Sequence, residues 1–391
     1  MTKFDKEYLE LCKKILDEGV EVKNRTGINT LKIPSYNFEF DINKEFPILQ
    51  SKQTAFKSAI IEMLWIWQMQ SNDVSLLHDR GVHIWDKWMV DDDGIYRIYA
   101  NEETEAYDPN RFVYVMDPLS VPVDGINGFL KPKNDGNGNN MFAKSRIDGK
   151  NIIGAKYYGK EYANTIGTAY GYIVNRYKHT QNLIKTINEI KKDGKDDRRM
   201  VKSLWQDEFL RTAVLPSCVW ATEWDVTGDK LNLSVHQRSC DVPLGLPFNV
   251  TQYAALLKMI AQVTNLEAGT MNYSIKDAHI YLDQLKGIKL QLERWQKFNK
   301  LMEKSRDDLR ARYENLELNL NSKYCTINDK ERADFTEEYN MIDLIIHNDS
   351  PELWLNPNVK DFFKFDNSRE LKDTKLKKYK HLGKIDFPLA R

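Results

Sequence analysis

Two side chains stand out as able to do chemistry in this 391-residue chain, a thiol at Cys218 and a carboxyl at Glu62. Cys218 closes the segment Leu215-Pro216-Ser217-Cys218. A thiol attacks only as the thiolate, and a cationic neighbour or a helix terminus is what lowers its pKa enough. Three arginines, Arg198, Arg199 and Arg238, flank it in sequence. A lone cysteine is most often a small buried hydrophobe, so residue type alone leaves both readings open. Glu62 interrupts the most apolar stretch, Ala59 to Met69. A carboxylate buried there is costly unless it is hydrogen-bonded or put to use. The other cysteines, Cys12, Cys240 and Cys325, are scattered, with no C-x-x-C pair and no histidine at zinc-ligand spacing. Neither a disulfide framework nor a metal site is expected.

These groups need elements to position them. Val219 to Val226 reads as a strand leaving Cys218. Leu231, Leu233 and Val235 alternate with Asn232, Ser234 and His236, which predicts a strand with one apolar and one polar face. Arg238 continues the polar face, the loop Pro243 to Pro247 follows, and Tyr253, Leu256, Leu257, Ile260 and Val263 form a helical stripe. Strand, loop and helix thereby bring Arg238, Asp241 and Asn249 into one neighbourhood. Nearer the start, Tyr8, Leu11, Cys12, Ile15 and Leu16 predict an amphipathic helix. Thr30 to Ile33 and Tyr36 to Phe40 predict two strands, and Phe56 to Gln70 a buried helix.

Two stretches change texture. Within residues 91–162, Asp91-Asp92-Asp93-Gly94 and the Gly/Asn-rich Asn134 to Asn140 mark turns or mobile loop. Residues 298–340 are rich in charge, with Leu301, Leu309, Tyr313 and Leu316 at helical spacing. Both read as insertions in a core made of 1–90, 163–297 and 341–391. Lys372 to Lys384 is locally basic, either a solvated face or a surface for phosphate or polyglutamate. The composition, 41% hydrophobic and 29% charged, supplies a sizeable core without staples. Lys+Arg and Asp+Glu both number 57, and a net charge of zero argues against general attraction to nucleic acid or anionic membrane. Ala59 to Met69 is too short to span a bilayer, and Met1 to Lys6 lacks the apolar core of a signal peptide. A reduced, cytoplasmic protein is expected.

The run Gln237-Arg238-Ser239-Cys240-Asp241-Val242-Pro243-Leu244-Gly245-Leu246-Pro247-Phe248-Asn249 resembles the signature of the thymidylate synthase and dUMP hydroxymethylase family. Further segments are similar to the family pattern and in its order. They are Asn24-Arg25-Thr26-Gly27, Glu62-Met63-Leu64-Trp65, His83-Ile84-Trp85-Asp86-Lys87-Trp88, Ala169-Tyr170-Gly171, Asp197-Arg198-Arg199-Met200 and Asp277-Ala278-His279-Ile280-Tyr281. The resemblance implies an α/β (α+β) protein of the thymidylate synthase fold, a large mixed β-sheet with flanking helices, acting as a homodimer. It implies one-carbon transfer from 5,10-methylenetetrahydrofolate to C5 of dUMP, with no metal.

The same resemblance assigns roles. Cys218 would attack C6 of the base and make C5 nucleophilic. Arg25, Arg198, Arg199 and Arg238 would clamp the phosphate, guanidiniums being suited to a dianion, with Arg198 and Arg199 reaching from the partner subunit. Ser239 would join the nucleotide contacts. Asn249 would donate to uracil O4 and accept from N3–H, while His279 and Tyr281 would bind the 3′-hydroxyl. Glu62 would organise proton traffic near O4, and Tyr170 would stand near the departing C5 proton. Asp241 would hold the pterin. Ile84, Trp85, Trp88, Leu215, Leu244, Gly245 and Phe248 would wall the folate, and the tail with Ala390 would close over it.

Ser217 stands where the family usually has proline, Val219 where histidine is frequent, and Trp205-Gln206 where Trp-Asn is usual. The chain ends Phe387-Pro388-Leu389-Ala390-Arg391, whereas the family commonly ends in an apolar tail with a terminal valine. That end bears on the product. Once tetrahydrofolate leaves, hydride transfer to the exocyclic methylene gives dTMP and dihydrofolate, while water gives 5-hydroxymethyl-dUMP. The first needs a dry, closed site. dTMP synthesis is the principal expectation and hydroxymethylation the alternative.

Overall fold

The computed structural model describes residues 1–24, 26–99, 112–116, 142–144, 146–147, 150–322, 327–347 and 350–389. The segment Asn134 to Asn140 lies outside them. Helix α1 (Lys3–Glu18) opens the chain and is capped by Thr2, whose Oγ1 accepts the Asp5 N–H at 3.0 Å. The Asp5 carboxylate completes the capping box by accepting from the Thr2 N–H. That same buried carboxylate accepts the Gln50 and Ser51 N–H groups, both at 2.8 Å. One aspartate therefore starts a helix and anchors the segment that presents Lys52.

Strands β1 (Val20–Val22) and β2 (Thr30–Asp41) follow. The two strands expected between Thr30 and Phe40 are one, running through Pro34. The proline is tolerated because β1 pairs β2 over Thr30 to Lys32, and beyond it that edge of the strand carries no ladder among the described residues for Pro34 to interrupt. On the other edge the register skips Asp277, whose φ is 47°.

Helices α2 (Phe56–Trp67) and α3 (Ser75–His78) come next. Strands β3 (Ile95–Tyr99), β4 (Phe112–Met116), β5 (Phe142–Lys144), β6 (Arg146–Ile147) and β7 (Lys150–Tyr157) form a separate small sheet. The chain continues through α4 (Gly171–Arg176), α5 (His179–Asp193), β8 (Val201–Ser203), β9 (Val219–Thr227), β10 (Lys230–Gln237) and β11 (Cys240–Asp241). Then come α6 (Gly245–Val263), β12 (Glu267–Tyr281), α7 (Leu285–Met302), α8 (Arg306–Asn321) and α9 (Asp329–His347), and finally a hairpin of β13 (Glu352–Leu355) and β14 (Thr374–Lys377).

Among the described residues the main sheet runs β1-β2-β12-β10-β9-β8, with β11 beside β12. β12 is parallel to β10 and β11, while the other pairings are antiparallel, so the sheet is mixed. A parallel neighbour demands a crossover, and α6 lies in the one joining β10 to β12. Leu231, Leu233 and Val235 on β10 and Phe38 and Phe40 on β2 are buried in one core with α1, α2 and α6. Helix α6 begins at Gly245, inside what the sequence suggests is loop, and carries Pro247 in its first turn, where no helical N–H bond is lost. A second cluster, Phe298, Leu301, Leu309, Leu316, Met341, Ile342, Leu344 and Leu382, holds the end of α7 against α8 and α9.

Candidate active site

Cys218 sits half-buried immediately before β9. The register of β9 against β10 moves from Ala221 opposite His236 to Val219 opposite Gln237, leaving Trp220 as an extra residue. Such a bulge twists a strand end and re-aims side chains. Arg238, just past β10, holds the loop ahead of the bulge. Its backbone N–H donates to the Cys218 carbonyl at 2.9 Å, its Nε to Ser217 at 3.0 Å, and its Nη2 to Pro216 at 2.7 Å. The guanidinium also lies 5.4 Å from the Trp205 ring centroid. Three successive carbonyls are thus gripped by one residue. Ser217 is buried, and its Oγ has no hydrogen-bond partner among the described residues.

On another side stands Tyr170, whose Oη accepts the Cys218 N–H at 2.9 Å. Burial holds the phenol well above its ordinary pKa, so it stays protonated. Its backbone is strained, with φ 47° and ψ −105°. The next residue must be small, since a Cβ on Gly171 would lie 1.9 Å from the Ser71 carbonyl oxygen. The Trp85 ring meets Tyr170 edge-on at 5.5 Å, and its Nε1 donates to Glu62 Oε1 at 2.6 Å. Gln252 donates to the other oxygen of Glu62. Burial raises the Glu62 carboxyl from 4.5 to about 7, against the pull of these two hydrogen bonds. Glu62, Trp85, Tyr170 and Cys218 therefore form one contiguous line.

Asn249, one turn ahead of Gln252 on α6, donates through Nδ2 to Gln252 Oε1 at 3.2 Å. Its Oδ1 lies 3.5 Å from Gln237 Nε2. Gln237 also donates to the Ser239 carbonyl at 2.9 Å and accepts from Tyr273 Oη at 2.6 Å.

The pairing of β11 with β12 sets Asp241 opposite His279. Asp241 accepts from the Leu244 N–H at 3.2 Å and from Gln284 Nε2 at 3.1 and 3.3 Å. Burial nevertheless raises its pKa above the ordinary carboxylate value. Burial works against a charged His279, yet the Asp277 carboxylate and carbonyl outweigh it and its pKa ends up raised. The ring of Tyr281 packs edge-on against His279 at 5.2 Å. Lys52 is buried, donates to the Pro243 carbonyl and sits 4.5 Å from the Phe387 ring centroid. Desolvation lowers its pKa to about 8. Gln284 donates also to the Pro388 carbonyl at 3.1 Å, so the C-terminal segment is tied to the same side as Asp241.

Other expected residues lie at the margins. Leu215, Leu244, Gly245, Phe248 and Trp88 are half-buried, Trp85 is buried and Ile84 is exposed. Ser239 is half-buried beside Arg238. Arg198 and Arg199 are exposed, and their guanidiniums make no hydrogen bond or ion pair among the described residues. Arg25, Ala390 and Arg391 lie outside the described residues. A cavity of about 270 Å³, lined by Asn43, Lys258, Gln262, Leu266 and Trp354, sits towards the opposite end of α6 from Asn249 and contains none of the groups expected to react. His78, His83 and Asp86 bring three potential metal ligands within 4.8 Å of one another, which their spacing in sequence does not announce. Hydrogen bonds of Asp86 to His78 at 2.7 Å and to His83 at 3.2 Å already account for that arrangement.

Residues 6–345 match the family model described as Thymidylate synthase. The chain belongs to the thymidylate synthase family. Thymidylate synthase from Clostridium beijerinckii is 31% identical over 390 residues, covering all of both chains. The Bacillus phage phi3T thymidylate synthase is 29% identical over 406 residues, again across both whole chains. Thermostable thymidylate synthase A from Bacillus subtilis, a solved structure, is 28% identical and superposes with a TM-score of 0.61 over 100% of each chain. The mixed sheet with its flanking helices is the thymidylate synthase fold, and the family is one of one-carbon transferases. No described helix is long and apolar enough to cross a membrane.

Within this thymidylate synthase framework, sequence reasoning singled out Cys218, Glu62, Asp241 and Asn249. It missed Lys52, Gln252 and Gln284. A polar residue three positions after Asn249, in a helix apolar nearly all round, was the available signal for Gln252. Lys52, directly after the buried run Pro47 to Ser51, offered a weaker one.

Proposed function

We propose that the chain makes dTMP and dihydrofolate from dUMP and 5,10-methylenetetrahydrofolate through a Cys218 adduct. The Sγ–C6 bond forms, electron density moves to C5, and C5 attacks the one-carbon unit. Loss of the C5 proton expels tetrahydrofolate, whose hydride then reduces the exocyclic methylene as the Sγ–C6 bond breaks. The observation that carries this reading is the unbroken line from Glu62 through Trp85 and Tyr170 to Cys218. Glu62, with a pKa of about 7, can exchange protons near neutrality. Tyr170 accepts from the Cys218 backbone, and its own hydrogen remains to meet the substrate. Arg238 spends Nε and Nη2 on the loop and keeps Nη1 for the phosphate, assisted by Arg25.

Asn249 reads the uracil edge, and Ser239, His279 and Tyr281 complete the nucleotide contacts. Asp241 takes the pterin, with Ile84, Trp85, Trp88, Leu215, Leu244, Gly245, Phe248 and Ala390 around the folate. The working unit is a cytoplasmic homodimer whose Arg198 and Arg199 reach the partner's nucleotide. Two features support this: both arginines are exposed, and the uncovered sheet face shows Trp220 at 40% and Val201 at 48% exposure.

The test is to incubate the protein with dUMP and methylenetetrahydrofolate, follow dihydrofolate absorbance and resolve the nucleotide by mass. Dihydrofolate and dTMP in equal amounts are expected. Tetrahydrofolate with 5-hydroxymethyl-dUMP would replace the synthase reading with hydroxymethylation.

A further inference from the structure

We infer that Gln252 is a positioning residue that fixes the polarity of the Asn249 amide and holds Glu62, and so enforces the choice of a uracil edge. The inference rests on Asn249 as base reader and Glu62 as proton-handling group. Gln252 and Asn249 share one face of α6, being three residues apart. Among the described residues, Gln252 Nε2 faces two acceptors, Glu62 Oε2 and the Ala59 carbonyl at 3.2 Å. The Ala59 carbonyl cannot donate whatever the protonation state of Glu62, so the amide nitrogen of Gln252 must point its way. Its Oε1 is thereby turned to Asn249, which must answer with Nδ2.

The far side is fixed by the same logic. Gln237 Nε2 faces the Ser239 carbonyl, an acceptor, while Tyr273 Oη donates to its Oε1. Gln237 therefore offers its N–H towards Asn249 Oδ1. Both neighbours of Asn249 have one allowed orientation, and together they permit only one for Asn249. An amide has two N–H donors and two carbonyl lone pairs. One of each is used, leaving one donor and one acceptor for a ligand. That pair matches the 4-oxo and N3–H of uracil and opposes the amino group and bare N3 of cytosine. Gln252 is 4% exposed and Glu62 6%, so water does not readily replace either bond. The Gln252 hydrogen bond also counts among the influences that lower the Glu62 pKa.

Two variants separate the two roles. Gln252→Met keeps the volume and removes the polarity. It should reduce the ratio of dUMP to dCMP affinity by about tenfold or more. It should also raise, by about half a pH unit or more, the inflection in the kcat profile that Glu62→Gln abolishes. Gln252→Glu can still accept from Asn249 but cannot donate to Glu62 as a carboxylate. It should keep the dUMP preference and move the same inflection upward at least as far. Equal weakening of both nucleotides in Gln252→Met, with the inflection unmoved, would reduce Gln252 to packing and overturn the inference. A preference for dUMP lost equally in Gln252→Glu and Gln252→Met would likewise overturn it. Asn249→Asp distinguishes a deeper failure: if its preference matches the wild type, the assignment of Asn249 as reader is what falls.

Discussion

Glu62 combines a stability cost from burial with a chemical use in the proposed reaction. Its carboxyl rises from 4.5 to about 7 because burial penalises the charge more than Trp85 and Gln252 compensate it. The folded protein thus keeps the Glu62 proton through a range where the unfolded chain has already lost it. Stability from this group falls as pH rises from about 4.5 to about 7 and is level above that, a change of about 3 kcal/mol at most. Glu62→Gln should remove that downward slope and lower kcat by about a hundredfold or more. Urea unfolding of both proteins across this window provides the check, and parallel slopes would mean that Glu62 ionises in the ordinary range. The proximity of Arg238, Asp241 and Asn249 was legible at this scale because strand, loop and helix follow one another in a short stretch of chain, whereas Cys218 was singled out through the family resemblance. Gln252, Gln284 and Lys52 were not legible, because their partners are distant in sequence. Gln252 meets Glu62 across 190 positions, and Gln284 meets the Pro388 carbonyl across 104.

At the scale of elements, the β10–α6–β12 crossover organises the site, and it was readable from alternation followed by a helical stripe. The beginning of α6 was not, since Gly245 and Pro247 look like loop residues until the first helical turn makes them acceptable. Nor was the continuity of β2 through Pro34, which depends on how far β1 extends beside it. Helix α7 touches the tail that the proposed reaction requires to close the site. A Cβ on Gly287 would lie 2.4 Å from the Phe387 ring, which the close approach of tail to helix does not permit. Alanine is otherwise the better helix former by about 1 kcal/mol. Gly287→Ala should therefore leave the fold intact while displacing Phe387, raising the folate KM and diverting some product to 5-hydroxymethyl-dUMP. Steady-state kinetics with product mass analysis measures both. An unchanged KM and product ratio would place closure of the site elsewhere than in the Phe387 contact.

The whole molecule is a core sheet covered on one face, with exposed arginines just ahead of β8 and an aromatic residue open on the other face. The covered face was legible from the period-two pattern of β10, whereas the proposed partner on the open face belongs to a second chain, which one chain's pattern does not describe. Mixing an Arg199→Glu chain with a Cys218→Ala chain, each inactive alone, should restore activity in heterodimers, one of whose two sites would be intact. Absence of recovery after verified subunit exchange would mean that the arginines serve their own chain. The claim on which everything else depends is that the Cys218 thiolate bonds to the pyrimidine. Incubation with 5-fluoro-dUMP and methylenetetrahydrofolate, followed by digestion and peptide mass analysis, tests it directly. The expected result is a nucleotide-and-folate adduct on the peptide containing Cys218, absent from Cys218→Ala; an adduct of equal yield in that variant, or one carried by another residue, would contradict it.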